Sequence, residues 1–230
     1  MNSTKDSARV AGLLYLLVAI TGAFSIMYIP AVFVVPGDAT ATASKIKASE
    51  LLFRIGIVSE LFSIILFVFL VVALYHLLKG IDKKLALLML ILALVSAPAS
   101  YINVVNRIAP TLLLGGADYL SVFDQHQLEA LAMLFLKLHG NGMAAVSLFW
   151  GLWLFPFGIL VVRSGFIPRI LGVLLFVAGI AYLTGFLTAL LLPGHSHTVS
   201  QFLLPLEAGE LPIIFWLLIK GARVQPLKGA

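Results

Sequence analysis

Glu207 and Glu210 lie within an apolar run, 201–220, that is long enough to cross a bilayer. At roughly 1.5 Å per residue such a helix rises about 30 Å, which sets Glu210 near its middle. A charge at that depth is costly unless it meets a partner, water or a proton. The two carboxylates are three positions apart and share a helix face. They are therefore candidates for a proton relay, for a cationic substrate site or for metal ligation.

The other polar side chains that interrupt apolar segments are Arg54, Glu60, Asn103, Asn106, Arg107, His139 and Asn141. Ser96, Ser100, Asn103 and Arg107 form one stripe at helical spacing, with Asn106 alongside. Such a stripe must face protein or water rather than lipid. Arg54 or Arg107 near Glu207 or Glu210 could hold a carboxylate ionised through a bidentate pair. The plainer alternative is that Glu–Arg and Asn contacts join helices and do nothing more. A metal would need His139 with Glu60, Glu207 or Glu210, a donor set suited to zinc, iron or manganese. Local spacing does not support one: HExxH is absent, and His195-x-His197 falls in an expected loop. No metal is assigned, with His139, Glu207 and Glu210 left as weak candidates. His126, His195 and His197 read as wet loop residues, and His76 as facing headgroups beside Lys79. Neither a Ser–His–carboxylate arrangement nor a phosphate loop is recognisable, so no catalytic residue and no cofactor is assigned.

These residues need a scaffold, and composition says which kind. The chain has 230 residues, 61% hydrophobic and 11% charged, with a mean hydropathy of +1.10. Soluble domains are about 25% charged, so the class is membrane. Without cysteine there is no disulfide framework, thiolate nucleophile or soft metal site. The net charge of +5 has no basic, aromatic-interleaved surface to go with it, which argues against nucleic acid. Membrane lipids are the expected partners, with a small solute or ion as a further one. Lys5 and Arg9 precede an apolar run that exceeds a signal-peptide core of about 7–15 residues. A retained first helix is expected, although Ala39, Ala41 and Ala43 superficially resemble a cleavage region.

The pattern predicts an all-α polytopic bundle, one domain over 1–230, with six transmembrane helices at 8–34, 52–78, 85–106, 141–162, 170–192 and 201–220. Pro30 is expected to end or kink the first span, and Pro98 to bend the third. Residues 110–119 read as a loop, and 40–50 as a short helical or irregular outer segment. Residues 121–138, capped by Ser121 or Asp124, read as a short outer interfacial helix separated from the fourth span by Gly140 and Gly142, the alternative being one very long helix running into that span. The glycines Gly151, Gly158, Gly165, Gly172, Gly179 and Gly185 suit close helix packing or turns. Trp150 and Trp153 pack the core or line a cavity.

Basic residues set the orientation. Lys5, Arg9, Lys79, Lys83, Lys84, Arg163, Arg169, Lys220, Arg223 and Lys228 fall on one side, and Lys45, Lys47, Arg54, Arg107 and Lys137 on the other. Ten against five predicts cytoplasmic N- and C-termini in a prokaryotic cell membrane. The polar candidates then gather in the outer half of the bilayer, around an outer-facing polar cavity.

Several strings, in order, carry a resemblance. They are Ala11–Leu16, Leu138-His139-Gly140, the Trp-Gly-Leu-Trp-Leu-Phe-Pro-Phe-Gly stretch Trp150–Gly158, Gly165–Gly172, and Glu207–Pro212. Across nearly the full chain the sequence resembles the DUF4386 family of uncharacterised bacterial multi-pass membrane proteins. The resemblance implies an integral membrane location and carries no substrate, reaction or catalytic residue. The functional expectation from the residues is binding or translocation of a small solute or ion, with proton exchange at Glu207 or Glu210. A membrane-embedded, metal-assisted hydrolase and a structural or assembly protein are the alternatives. The two halves of the chain do not repeat, which weakens alternating access.

Overall fold

The computed structural model describes residues 3–221. Arg223 and Lys228 of the basic tally lie outside the described residues. The chain is all helical among those described, and six helices are long and apolar enough to cross a membrane. The all-α bundle expected from the sequence is present. Its helices are α1 (Ser3–Gly22), α2 (Ile29–Phe33), α3 (Ala39–Ala48), α4 (Glu50–Leu78), α5 (Lys83–Leu113), α6 (Gln125–Ser164), α7 (Arg169–Leu191), α8 (Ser196–Glu207) and α9 (Leu211–Ile219).

The first and last spans are composite. A π-helical turn, Ala23–Tyr28, joins α1 to α2, so the first span runs on from Lys5 to Phe33. Pro30 does not end it. Proline has no N–H for the carbonyl four residues back and its ring crowds that carbonyl, and the widened turn just before it relieves the conflict. The last span, Thr198–Ile219, is broken by a 3₁₀ turn at Ala208–Glu210. Pro212 withholds the N–H that the carbonyl of Ala208 would accept in an α-helix, and the tighter turn forms there.

Two expected boundaries move. The third span continues through Pro98 and Pro110 to Leu113. The interfacial helix expected over 121–138 is not a separate element: α6 is one helix of 40 residues that passes through Gly140 and Gly142 unbroken. Gly142 is a packing position, not a breaker. A Cβ there would lie 2.0 Å from Asn103 Oδ1, so glycine lets α5 approach. At the start of α6, Asp124 Oδ1 accepts from the Gln127 N–H (2.8 Å) while Gln127 Oε1 accepts from the Asp124 N–H (3.0 Å). This reciprocal cap confirms Asp124 as the start signal. A short helix outside the spans is α3, capped by Asp38, whose Oδ1 accepts from the Ala41 N–H at 2.8 Å.

The described chain divides into two compact units. One comprises residues 3–17, 66–97 and 144–221. In it α6 and α7 touch backbone to backbone: a Cβ on Gly151 would lie 2.9 Å from the Gly179 carbonyl, and one on Gly158 2.9 Å from that of Gly172. The small-residue seam is the one the glycine spacing predicted. Gly165 takes a positive φ of 69° in the turn between these helices. Trp153 is buried in the core of this unit against Tyr15, Phe67 and Phe157. Asp82 and Arg163 pair at 3.4 Å, joining the two short basic loops.

The other unit comprises Val18–Ile65 and Pro98–Met143. Gly56 brings α4 onto Ile29, and Phe33 meets Phe53 edge-on at 5.3 Å. Serine hydroxyls tie α4 to the first span, with Ser59 Oγ donating to the Thr21 carbonyl at 3.1 Å.

Candidate functional site

Each unit holds a carboxylate centre within a membrane-spanning helix. In the Val18–Ile65 and Pro98–Met143 unit the centre is Glu60. Its Oε2 accepts from Arg107 Nη1 at 2.6 Å and its Oε1 lies 2.8 Å from His139 Nε2. An ionised carboxylate only accepts, so the imidazole donates from Nε2. Glu60, Arg107 and His139 are 3%, 2% and 7% exposed, so this ion pair is fully withdrawn from the surroundings. The guanidinium carbon stands 5.9 Å from the Phe53 ring, a second favourable contact for the cation. Arg107 Nη2 is buried with no hydrogen-bond partner among the described residues.

Two asparagines brace this centre. Asn106 Nδ2 donates to Asn103 Oδ1 at 3.1 Å, and Asn103 Nδ2 donates to the His139 carbonyl at 2.9 Å. The stripe predicted on α5 is buried as expected: Ser96, Ser100, Asn103 and Arg107 are all inaccessible. A further polar contact holds α3 on α6 in the same unit. Glu129, 2% exposed, accepts from Thr40 Oγ1 at 2.6 Å and from Gln125 Nε2 at 2.8 Å.

In the other unit the centre is Glu210, at the 3₁₀ turn in the last span. Its Oε2 accepts from the Tyr15 hydroxyl of α1, and Tyr182 of α7 stands nearby. Both tyrosines belong to aromatic contacts, Tyr15 with Trp153 at 6.4 Å and Tyr182 with Trp150 at 6.1 Å. Glu207 lies one turn earlier, half-buried. Its Oε1 would be 3.9 Å from a Cβ on Gly185. Gly209, between the two glutamates, seats the turn against α7: a Cβ there would lie 3.0 Å from the Leu174 carbonyl.

Residues 10–221 match the family described as "Domain of unknown function (DUF4386)". The chain belongs to that family. Within the DUF4386 match lie both centres, from Tyr15 to Glu210. A relative in Archaeoglobus fulgidus (strain ATCC 49558 / DSM 4304 / JCM 9628 / NBRC 100126 / VC-16), named "Uncharacterized protein", is 30% identical over 169 residues, covering 74% of this chain and 85% of its own. No solved structure matches the chain.

In this DUF4386 protein the nine candidates from the sequence do not form one set. Glu60, Asn103, Asn106, Arg107 and His139 come together. Arg54 pairs with Glu50 one turn away at 2.6 Å, both about half exposed (54% and 52%), and Asn141 is exposed. Glu207 and Glu210 belong to the other unit. No three His, Cys, Asp or Glu side chains among the described residues are grouped to hold a metal ion. Of the histidines read as wet, His126 and His195 are exposed. His76 is exposed beside Lys79, its Nδ1 3.1 Å from Nζ. Two clefts stand out, one of about 240 Å³ beside Lys47, Leu114 and Gln125 and one of about 460 Å³ between Leu171 and Phe215. Glu60, Arg107 and Glu207 line neither.

Sequence reasoning missed Tyr15, Tyr182, Thr40 and the burial of Glu129. Tyr15 is 195 positions from its partner, and a lone tyrosine in an apolar helix reads as packing. For Thr40 and Glu129 there was a signal, a hydroxyl two residues past the Asp38 cap and a carboxylate five residues past the Asp124 cap.

Proposed function

We propose that this multi-pass membrane protein binds, and moves across its membrane, a small cationic solute in exchange for protons at Glu210. The observation that carries the reading is the broken last span. A membrane helix that abandons α geometry at a pair of carboxylates frees backbone groups and flexibility where membrane transporters bind ions. Glu210 and Glu207 supply the negative charge, and Tyr15 and Tyr182 supply hydroxyls that can trade places with a solute. Trp150 and the tyrosine rings add the π faces that suit an organic cation. The Glu60–Arg107–His139 centre serves as the frame. In this reading both termini are cytoplasmic, as the basic residues favour.

The test is proton movement in vesicles holding the purified protein and an internal pH dye, with imposed gradients of sodium, potassium or tetramethylammonium. The expected result is proton counterflow with at least one cation. Glu210→Gln should reduce it at least about tenfold, while the melting temperature shows that the protein stays folded. Equal counterflow in Glu210→Gln, or none with any cation, overturns the reading.

A further inference from the structure

We infer that the protein carries a selective site for one anionic phospholipid, in an apolar groove between the start of α7 and α9. The groove is about 460 Å³. Ile170 and Leu171 form one wall, Pro212, Phe215 and Ile219 the other, and Lys220 closes one end. Ile170, Phe215 and Ile219 are 61%, 52% and 65% exposed, so the slot opens sideways to whatever surrounds the helices. In a bilayer that is lipid. From Pro212 to Lys220 the helix rises about 12 Å, the length of the upper part of one acyl chain.

The selectivity comes from the Lys220 end. Arg169 stands between the groove residues Pro168 and Ile170. Lys5 runs alongside Gly221, where a Cβ would lie 2.8 Å from Lys5 Cγ. Lys5, Arg169 and Lys220 are exposed, and none makes an ion pair among the described residues. Asp82, a carboxylate of the loop between α4 and α5, is already engaged by Arg163. Lys220 at the slot, with Lys5 beside Gly221 and Arg169 next to Ile170 in the chain, and with no ion pair on any of the three among the described residues, complements a lipid with a net negative headgroup. A zwitterionic headgroup brings its own cation and gains less. A second copy of the chain, the other occupant to consider, would bring its own cluster of cations against this one.

Mass spectrometry of the intact protein released from vesicles of equal phosphatidylglycerol and phosphatidylcholine tests the site. The wild type should retain phosphatidylglycerol over phosphatidylcholine by about tenfold or more. A headgroup cation contributes about fivefold, so Lys220→Gln combined with Arg169→Gln should cut the ratio by at least about fivefold, leaving what Lys5 contributes. Both positions are exposed, so the fold is retained, and Lys220→Arg should keep the preference. Ile170→Trp fills the slot and should cut phosphatidylglycerol retention with every charge in place. Equal retention of the two lipids by the wild type, or an unchanged ratio in the double variant, overturns the site. So does a dimer through this face that persists without lipid.

Discussion

Glu60 and Glu210 are both carboxylates within membrane-spanning segments, and the protein satisfies them by different means. Glu60 sits on an unbroken helix and receives a full countercharge from Arg107 and a hydrogen bond from His139, with asparagines fixing the backbone behind them. Glu210 sits at a break in a helix and receives the neutral Tyr15 hydroxyl, with no ion pair among the described residues. The first arrangement engages both carboxylate oxygens with a guanidinium and an imidazole donor, so anything entering must compete with a buried ion pair. In the proposed function the second changes partner or protonation at the cost of one hydrogen bond. Charge neutralisation then makes a frame, and a hydroxyl partner at a helix break makes a site that can exchange.

The largest effect should follow from breaking the frame. Glu60→Gln leaves Arg107 charged in a buried position without its countercharge, a loss of about 3–5 kcal/mol. Replacing both partners by apolar side chains of similar volume, Glu60→Leu with Arg107→Met, should recover most of that loss. Thermal unfolding in one detergent measures both. Glu210→Gln in the same assay should cost no more than about 1.5 kcal/mol, since glutamine still accepts from the Tyr15 hydroxyl. If the two glutamates cost the same, the distinction between frame and exchange site disappears.

A middle effect belongs to Gly142. Gly142→Ala places a Cβ 2.0 Å from Asn103 Oδ1, so Asn103 must swing away from the His139 carbonyl. The loss should be about 1–3 kcal/mol, the usual range for overpacking and for a buried polar group left without its partner. Gly140→Ala has nothing within 4 Å to meet. It should leave stability unchanged or slightly higher, because alanine is the better helix former. The pair separates packing at α5–α6 from helix propensity.

That contrast also shows what could be read from the sequence. Spans, and the buried face of α5, were legible because bilayer thickness sets helix length and the 3.6-residue period sets the stripe from Ser96 to Arg107. Gly142 was misread because a glycine that breaks a helix and one that admits a neighbour look alike until the neighbour, Asn103, is in place. Partners across the fold were not legible for the same reason: Glu60, Arg107 and His139 come from three helices, and only tertiary packing decides which arginine meets which glutamate. The break at Glu210 had a local cause in Pro212, yet proline alone does not distinguish a kink from a 3₁₀ turn.

The smallest effect is expected at Arg54, which shares its residue type with Arg107 and its helix with Glu60. Its partner is Glu50, four residues away at the exposed start of α4, with both side chains about half accessible (54% and 52%). Arg54→Gln should cost about 0.3–0.5 kcal/mol, typical of an exposed pair at that spacing and close to the resolution of a melting curve. Its effect should fade further as salt screens the pair, whereas that of Glu60→Gln should persist in salt because its partners are buried. Measuring both variants at low and high ionic strength therefore separates the surface pair from the frame even where the melting curves alone do not. An Arg54 effect as large and as salt-resistant as that of Glu60 would mean that the frame reaches the helix end.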